Sequence, residues 1–248
     1  MRQFTFAEIT EALAGLRDTT SGASDERLAF IHFCLTHLTR SRAQFLQDLW
    51  VAWELGSLQG GYFVEFGATN GLTFSNSWYL EHDLGWRGIL AEPAHIWHPA
   101  LHNNRTCHID ERCVWIESGR TLVFNQTEIA AHSTIDSFSD SDMHAASRRD
   151  GERYPVETVS LNDLLAFWKA PRRIDYLSID TEGSELDILQ HFDWAAHEVR
   201  LISVEHNFTD RRGPICEFLA SKGYSRKFEV LSNVDDWYVL DAAPGTVT

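Results

Sequence analysis

Four cysteines in 248 residues, Cys34, Cys107, Cys113 and Cys216, include no Cys-x-x-Cys pair and lack the density of a disulfide-stapled secreted scaffold. They are expected as reduced thiols, mostly buried, and their spacing argues against a cysteine zinc site. Basic residues are also scarce. Twenty-one Lys and Arg against 36 Asp and Glu leave a formal charge of −15, which repels phosphate backbones and anionic bilayers at long range. Neither nucleic acid nor a membrane surface is an expected partner. No run approaches the roughly 18 to 20 apolar residues that span a bilayer. The opening Met1-Arg2-Gln3-Phe4-Thr5-Phe6-Ala7-Glu8 carries an acid where a secretion signal has its apolar stretch, so the expected address is cytoplasmic. Internal repeats, low-complexity tracts and an interdomain linker are missing as well.

What is present is a globular complement of residues. At 44% hydrophobic, a chain of this length buries about 70 to 75% of its unfolded surface, so it needs neither disulfides nor metal to fold. Phe6, Ile9, Leu13 and Leu16 recur at helical spacing, and Thr19-Thr20-Ser21-Gly22 reads as a loop. Ser24 or Asp25 could cap a second helix carrying Ala29, Phe30 and Leu35. A third should run from about Arg42 to Leu55 and stop at Gly56. Residues 1–56 are therefore read as an N-terminal helical cap on one compact unit, with 57–248 as its main domain.

From Tyr62 the pattern changes. Tyr62–Phe66, Gly88–Ala91, Ile174–Ile179 and Leu201–Val204 are short β-prone runs, separated in part by helical patterns at Asn162–Lys169, Ser184–His191 and Pro214–Lys222. Buried strands alternating with helices require a mostly parallel sheet covered on both faces, an α/β fold. Tyr224 to Leu240, joined through Ser232-Asn233-Val234-Asp235-Asp236, has too short a turn for a parallel crossover and predicts an antiparallel hairpin at the sheet edge. Ser137 to Arg153, polar and without apolar periodicity, reads as a long loop, either a lid or disordered.

Ligands of open α/β sheets bind outside the carboxyl ends of the strands. The first run ends in Glu65-Phe66-Gly67-Ala68-Thr69-Asn70-Gly71, with a helix start expected around Thr73 to Ser77. This Gly-x-x-x-Gly is not a dinucleotide fingerprint, and no P-loop Lys-Ser/Thr follows. The second run ends in Glu92-Pro93, where a carboxylate can accept bonds from a ribose diol. Glu65 suits a ligand ammonium, and the glycine amides suit an amino-acid carboxylate. An adenosine bearing an amino acid meets both demands, which favours S-adenosyl-L-methionine over a nicotinamide dinucleotide.

With these motifs the chain resembles the FkbM-like family of class I S-adenosylmethionine-dependent methyltransferases. The resemblance runs through Ser41–Asp48, Gly61–Gly71, Ser75-Asn76-Ser77, Leu80-Glu81, Gly85–Pro93, Val159–Leu165, Ile174–Glu185 and Val204-Glu205-His206-Asn207. It implies a Rossmann-like class I methyltransferase sheet of seven strands, mostly parallel with an antiparallel last strand, after the N-terminal helices. It also implies methyl transfer, most often to a hydroxyl of a sugar or other small natural-product acceptor. Carried over by position, Glu65, Gly67, Asn70 and Gly71 would hold the methionine part and Glu92 the ribose, with Gln47 and Asp48 closing over the cofactor. Cys113 and Val114 fall at the expected adenine side. Thr69 stands where many class I enzymes have glycine, so it too is expected to contact cofactor.

Asp180 and Glu205-His206 terminate two runs expected side by side. Together they could hold a divalent cation such as Mg that orients an acceptor hydroxyl. Alternatively His206 alone serves as general base, and Asp180 only shapes the helix start that follows. Glu182 falls near the same strand end, whereas Glu185 reads as a first-turn helix acid. His95, His98 and His102 share helical spacing broken by Pro99. Trp97 or Trp115 could stack on a sugar acceptor. Two other readings stay open: N-methylation of an amide or amine, and a non-catalytic binding protein of the same fold.

Overall fold

A computed structural model describes residues 5, 7–8, 10–11, 14–15, 25–127, 132–140 and 143–241. The expected first helix on Phe6, Ile9, Leu13 and Leu16, and the loop at Thr19 to Gly22, lie outside the described residues. The chain divides into two compact units, 1–39 and 40–248. In the first, helix α1 (Glu26–His37) is capped by Asp25, whose side chain accepts from the Arg27 amide, and Phe30 and Cys34 on it are buried.

The second unit is built on seven strands in the order β10-β11-β9-β8-β1-β2-β3, comprising β1 (Tyr62–Phe66), β2 (Arg87–Ala91), β3 (His108–Asp110), β8 (Arg173–Ile179), β9 (Glu198–Glu205), β10 (Tyr224–Lys227) and β11 (Asp235–Leu240). Strands β3, β2, β1, β8 and β9 are parallel, while β11 runs antiparallel to both β9 and β10. The C-terminal hairpin thus has its last strand inside the sheet and β10 at the edge. This is the Rossmann-like methyltransferase topology.

Register accounts for the two hydrophobic layers. Val64 pairs with Ile89 and Leu177, and Leu177 with Ile202, so these side chains share one face. That face is covered by α6 (Leu161–Phe167), α7 (Glu185–His191) and α8 (Arg212–Ser221) through Leu164, Leu165, Ile188, Leu189, Ile215 and Leu219. The other face carries Phe63 beside Tyr176 and Tyr176 beside Leu201. Against it lies α2 (Gln47–Glu54), whose Trp50 stacks on Trp237 with centroids 5.1 Å apart.

Two helices begin later than sequence spacing suggests. Leu46 adopts a left-handed conformation (φ 66°), and the buried Asp48 carboxylate receives the Ser41 hydroxyl and the Arg42 amide, so residues 42–46 form a turn before α2. Phe74 is also left-handed (φ 63°), and α3 starts only at Trp78, running to Leu84.

A second sheet, in the order β4-β7-β5-β6, is made by β4 (Cys113–Trp115), β5 (Thr121–Gln126), β6 (Thr134–Ile135) and β7 (Glu152–Ser160). Its core is Ala94, Cys113, Phe124, Ile135 and Val156, and Trp97 and Trp115 pack against it. These indoles are therefore occupied in packing. The segment expected as one long loop contains a 3₁₀ turn at Asp136–Phe138, a short helix α5 (Ala145–Arg148) and the start of β7; Ser141 and Asp142 lie outside the described residues. Among the cysteines, Cys34 and Cys113 are buried, Cys107 and Cys216 half-buried, and all are free.

The ends of β1 and β8 meet closely. Gly67 sits at φ +69°, and a Cβ there would lie 2.1 Å from the Asp180 carbonyl oxygen. Gly67→Ala combines this clash with left-handed strain and should lower stability by more than about 1 kcal/mol, a fall of at least ~2 °C in melting temperature for a unit of this size. An unchanged thermal transition would mean that the strand ends can part freely.

Candidate functional site

The carboxyl ends of β1, β2 and β8 open on a cavity of about 370 Å³. Its wall includes Gln47 from α2, Gly67 and Thr69 after β1, Glu92 after β2, Asp180 and Glu182 after β8, and Asp235 at the start of β11. Strands β4, β5 and β6 supply an apolar end with Cys113, Val114, Phe124 and Ile135, and His132, Met143 and His144 come from the segments flanking the second sheet. No Lys or Arg is among the described lining residues.

Glu92 stands at the end of β2 as an acceptor already oriented. Its two carboxylate oxygens take the amides of Thr69 (2.7 Å) and Ala94 (2.8 Å), leaving further lone pairs for a ligand. Thr69 adopts φ 46° to make this bond, the left-handed conformation that glycine reaches more cheaply. Burial raises the Glu92 carboxyl to about 7, the two amides opposing it. Asp235 is raised to about 7 by burial while Gln47 Nε2 donates to it, and Gln47 Oε1 accepts the Phe45 amide. Asp48 lies outside the cavity wall and is raised to about 6 by burial.

Besides Asp48, the residues Glu65, Asn70 and Gly71 were expected at the donor site and do not line the cavity. Glu65 is 3% exposed and spends its oxygens on Ser75 Oγ (3.2 Å), the Asn76 amide (2.8 Å) and the Ser77 hydroxyl. Arg105 lies 3.9 Å away. Burial raises the Glu65 pKa against these partners. Asn70 organises its own turn, accepting the amides of Leu72 and Thr73. Gly71 is required by packing: a Cβ there would meet Arg105 Cγ at 2.6 Å and Leu101 Cδ1 at 2.7 Å.

At the ends of β8 and β9 the carboxylate oxygens of Asp180, Glu182 and Glu205 lie within 4.8 Å of one another. Asp180 and Glu205 share a hydrogen bond, and both pKa values are raised, first by burial and then by neighbouring carboxylates. Glu182 accepts from Arg148 Nη2 at 2.8 Å and from Asn207 Nδ2 at 3.2 Å. Arg148 also donates to the carbonyls of His132 (2.7 Å) and Phe138 (3.3 Å), so it ties the segment bearing α5 to the end of β8.

His206, expected to join Asp180 and Glu205, points elsewhere. Its Nδ1 accepts the Phe208 amide at 3.0 Å, leaving the proton on Nε2, which lies 3.8 Å from Asp236 Oδ1. Burial lowers its pKa, with Asp236 opposing. A backbone turn at Asn207 and Phe208, both at positive φ, follows His206; the ring does not line the cavity, and Glu182 stands with Asp180 and Glu205 in the cluster. Glu185 accepts the Thr181 and Gly183 amides, the role of a helix-start acid. His102 approaches Glu111, and His98 lies between Glu111 (3.5 Å) and the Glu92 carbonyl (2.8 Å); neither lines the cavity.

Sequence reasoning passed over Asp235, Arg148, His132 and His144 as site residues. Asp235 sat in a stretch read as a turn, and Arg148 in one read as a loop. The two histidines, stacked with centroids 3.8 Å apart, reach the cavity through an insertion with no periodic signal.

The model of the Methyltransferase FkbM domain matches residues 65–226. No curated protein matches significantly in sequence. Among solved structures, the chain is similar to a methyltransferase FkbM from Methylobacillus flagellatus KT (TM-score 0.46, 10% identity, 83% of this chain and 59% of that one). A methyltransferase from Geobacter sulfurreducens (TM-score 0.43, 13% identity, 96% and 99%) and a precorrin-6y C5,15-methyltransferase from Geobacter metallireducens GS-15 (TM-score 0.41, 11% identity, 76% and 85%) are similar too. The matched span starts at the carboxylate on β1 and ends in the edge strand β10, taking in the ends of β1, β2, β8 and β9, and the chain accordingly belongs to the FkbM methyltransferase family.

Proposed function

We propose that this protein transfers a methyl group from S-adenosylmethionine to a hydroxyl of a sugar or other small natural-product acceptor in the cytoplasm. The observation that carries the reading is the half-buried Asp180 carboxylate on the cavity wall, hydrogen-bonded to Glu205 at the end of β9. The residues present fit the donor. Glu92 is placed to accept ribose hydroxyls, Cys113, Val114, Phe124 and Ile135 offer apolar surface to a flat base, and a wall of four carboxylates without Lys or Arg suits a ligand carrying sulfonium and ammonium charges.

The donor supplies an already activated methyl group, so the protein's work is alignment and the handling of one proton. The Asp180–Glu205 pair takes the acceptor's hydroxyl proton as the carbon–oxygen bond forms and the carbon–sulfur bond breaks, the electron pair staying on sulfur. His206 takes no part, because its Nδ1 is occupied and its ring faces Asp236. A second reading rests on the cluster of three carboxylates: Asp180, Glu182 and Glu205 are hard oxygen ligands of the kind Mg takes. Arg148 against Glu182 argues for the proton-handling role instead, since a guanidinium already balances that charge.

Asp180→Asn should reduce turnover at least about 100-fold while calorimetric affinity for S-adenosylhomocysteine stays within a few-fold of wild type; equal turnover would remove Asp180 from the mechanism. Turnover is to be read as methyl transfer onto pooled hydroxyl and amine acceptors. Transfer to amines alone would replace O-methylation with N-methylation, and transfer to none would favour a binding protein.

The raised carboxyls have a second consequence. Glu92 and Asp235 hold protons in the folded chain up to about pH 7, whereas unfolded carboxyls lose theirs near pH 4. Stability of the ligand-free protein should therefore fall as pH rises from about 4 to 7, and affinity for the cationic donor should tighten over pH 5.5 to 7.5. Differential scanning calorimetry and isothermal titration check the two signs. Chelation followed by dialysis should leave activity intact; loss restored by Mg would establish the cation reading.

A further inference from the structure

The donor reading leaves the ammonium group of the amino-acid part without a partner, because Glu65 is fully engaged and does not line the cavity. Asn76 does line it, and is 8% exposed. Its Nδ2 donates to Ser178 Oγ at 2.9 Å, while its Oδ1 is buried with no hydrogen-bond partner among the described residues. Buried amide oxygens are seldom left unpaired, since losing water without gaining a bond costs free energy.

Three features hold this amide in place. The Asn76 backbone amide is bonded to Glu65 at 2.8 Å. Ser75 and Ser77 on either side donate to the same carboxylate. Ser178 Oγ, which receives Nδ2, also accepts from Ser203 Oγ at 3.3 Å, and that hydroxyl is 2.6 Å from Tyr176 Oη. The hydroxyl chain is anchored in β8 and β9 and orients the amide with its oxygen left over. A residue of the cavity wall whose amide oxygen lacks a donor, in a cavity lined by carboxylates, matches a cationic amine, whose N–H groups form the stronger, charge-assisted class of hydrogen bond.

We infer that Asn76 is a cofactor-binding residue whose side-chain oxygen receives the α-ammonium group of S-adenosylmethionine. The inference rests on the donor reading above. It moves the ammonium contact from the acid on β1 to the amide that this acid orients.

Isothermal titration with three ligands tests it: S-adenosylhomocysteine, its analogue lacking the amino group, and 5′-methylthioadenosine, which lacks the whole amino-acid part. Wild type should bind S-adenosylhomocysteine at least tenfold more tightly than the deamino analogue. Asn76→Leu should abolish that difference while leaving 5′-methylthioadenosine affinity within about twofold, which also reports that the pocket is folded. Equal affinity of wild type for S-adenosylhomocysteine and its deamino analogue would overturn the inference even if the variant cannot be made. So would an Asn76→Leu protein that keeps the tenfold preference. Failure of wild type to bind S-adenosylhomocysteine at all would instead overturn the donor reading, so the two failures are distinguishable.

Discussion

A carboxylate buried in the middle of a parallel sheet has to be compensated where it lies, and Glu65 on β1 imposes that condition on the structure around it. Its partners are drawn from one stretch, Ser75, Asn76 and Ser77, so the chain after Gly71 is pulled back over the end of β1 before it can begin a helix. Arg105, fully buried, completes the arrangement. It reaches Ser75 and Ser77, the Gly71 carbonyl and Glu81 on α3, so that Glu65 and Glu81 are both balanced by one guanidinium. The late start of α3, the tight packing at Gly71 and the orientation of Asn76 are parts of one solution to this buried charge.

The cavity presents the opposite situation. Glu92, Asp180, Glu182 and Asp235 line it, and among the described residues only Glu182 is matched by an arginine, Arg148. The others respond to burial by holding their protons more tightly. A cavity whose acids hold their protons more tightly gains free energy from a cation, because the incoming positive charge favours the ionised forms that desolvation disfavours. The proposed transfer would use both forms.

Much of this was legible in advance. The four central strands could be read from short β-prone runs, and the antiparallel end of the sheet from a turn too short for a crossover. Glu92 and Gly67 stood at strand ends, where a parallel sheet puts its ligands. The second sheet was not legible: β4 and β6 are three and two residues long, β7 contains Pro155, and strands this short carry no periodic signal. With that sheet went Phe124, Ile135, His132 and His144. Trp97 and Trp115, plausible as stacking surfaces in one dimension, prove to be packed against its core.

Local sequence determined what each strand end offers: an acid after β2, acids after β8, a glycine where β1 must approach another backbone. Those properties follow from residue type and from the two-residue period of a strand, so no contact distant in sequence is needed to predict them. Which of these groups share a cavity was decided only in three dimensions. Glu65 and His206 occupy strand ends as exposed to expectation as any, yet one is consumed by the turn at 75–77 and the other is swung toward Asp236, while Asp235 arrives from a strand more than fifty residues beyond Asp180. Side-chain direction after a strand depends on the backbone turn that follows and on whichever charge lies within reach, and both are properties of the folded chain.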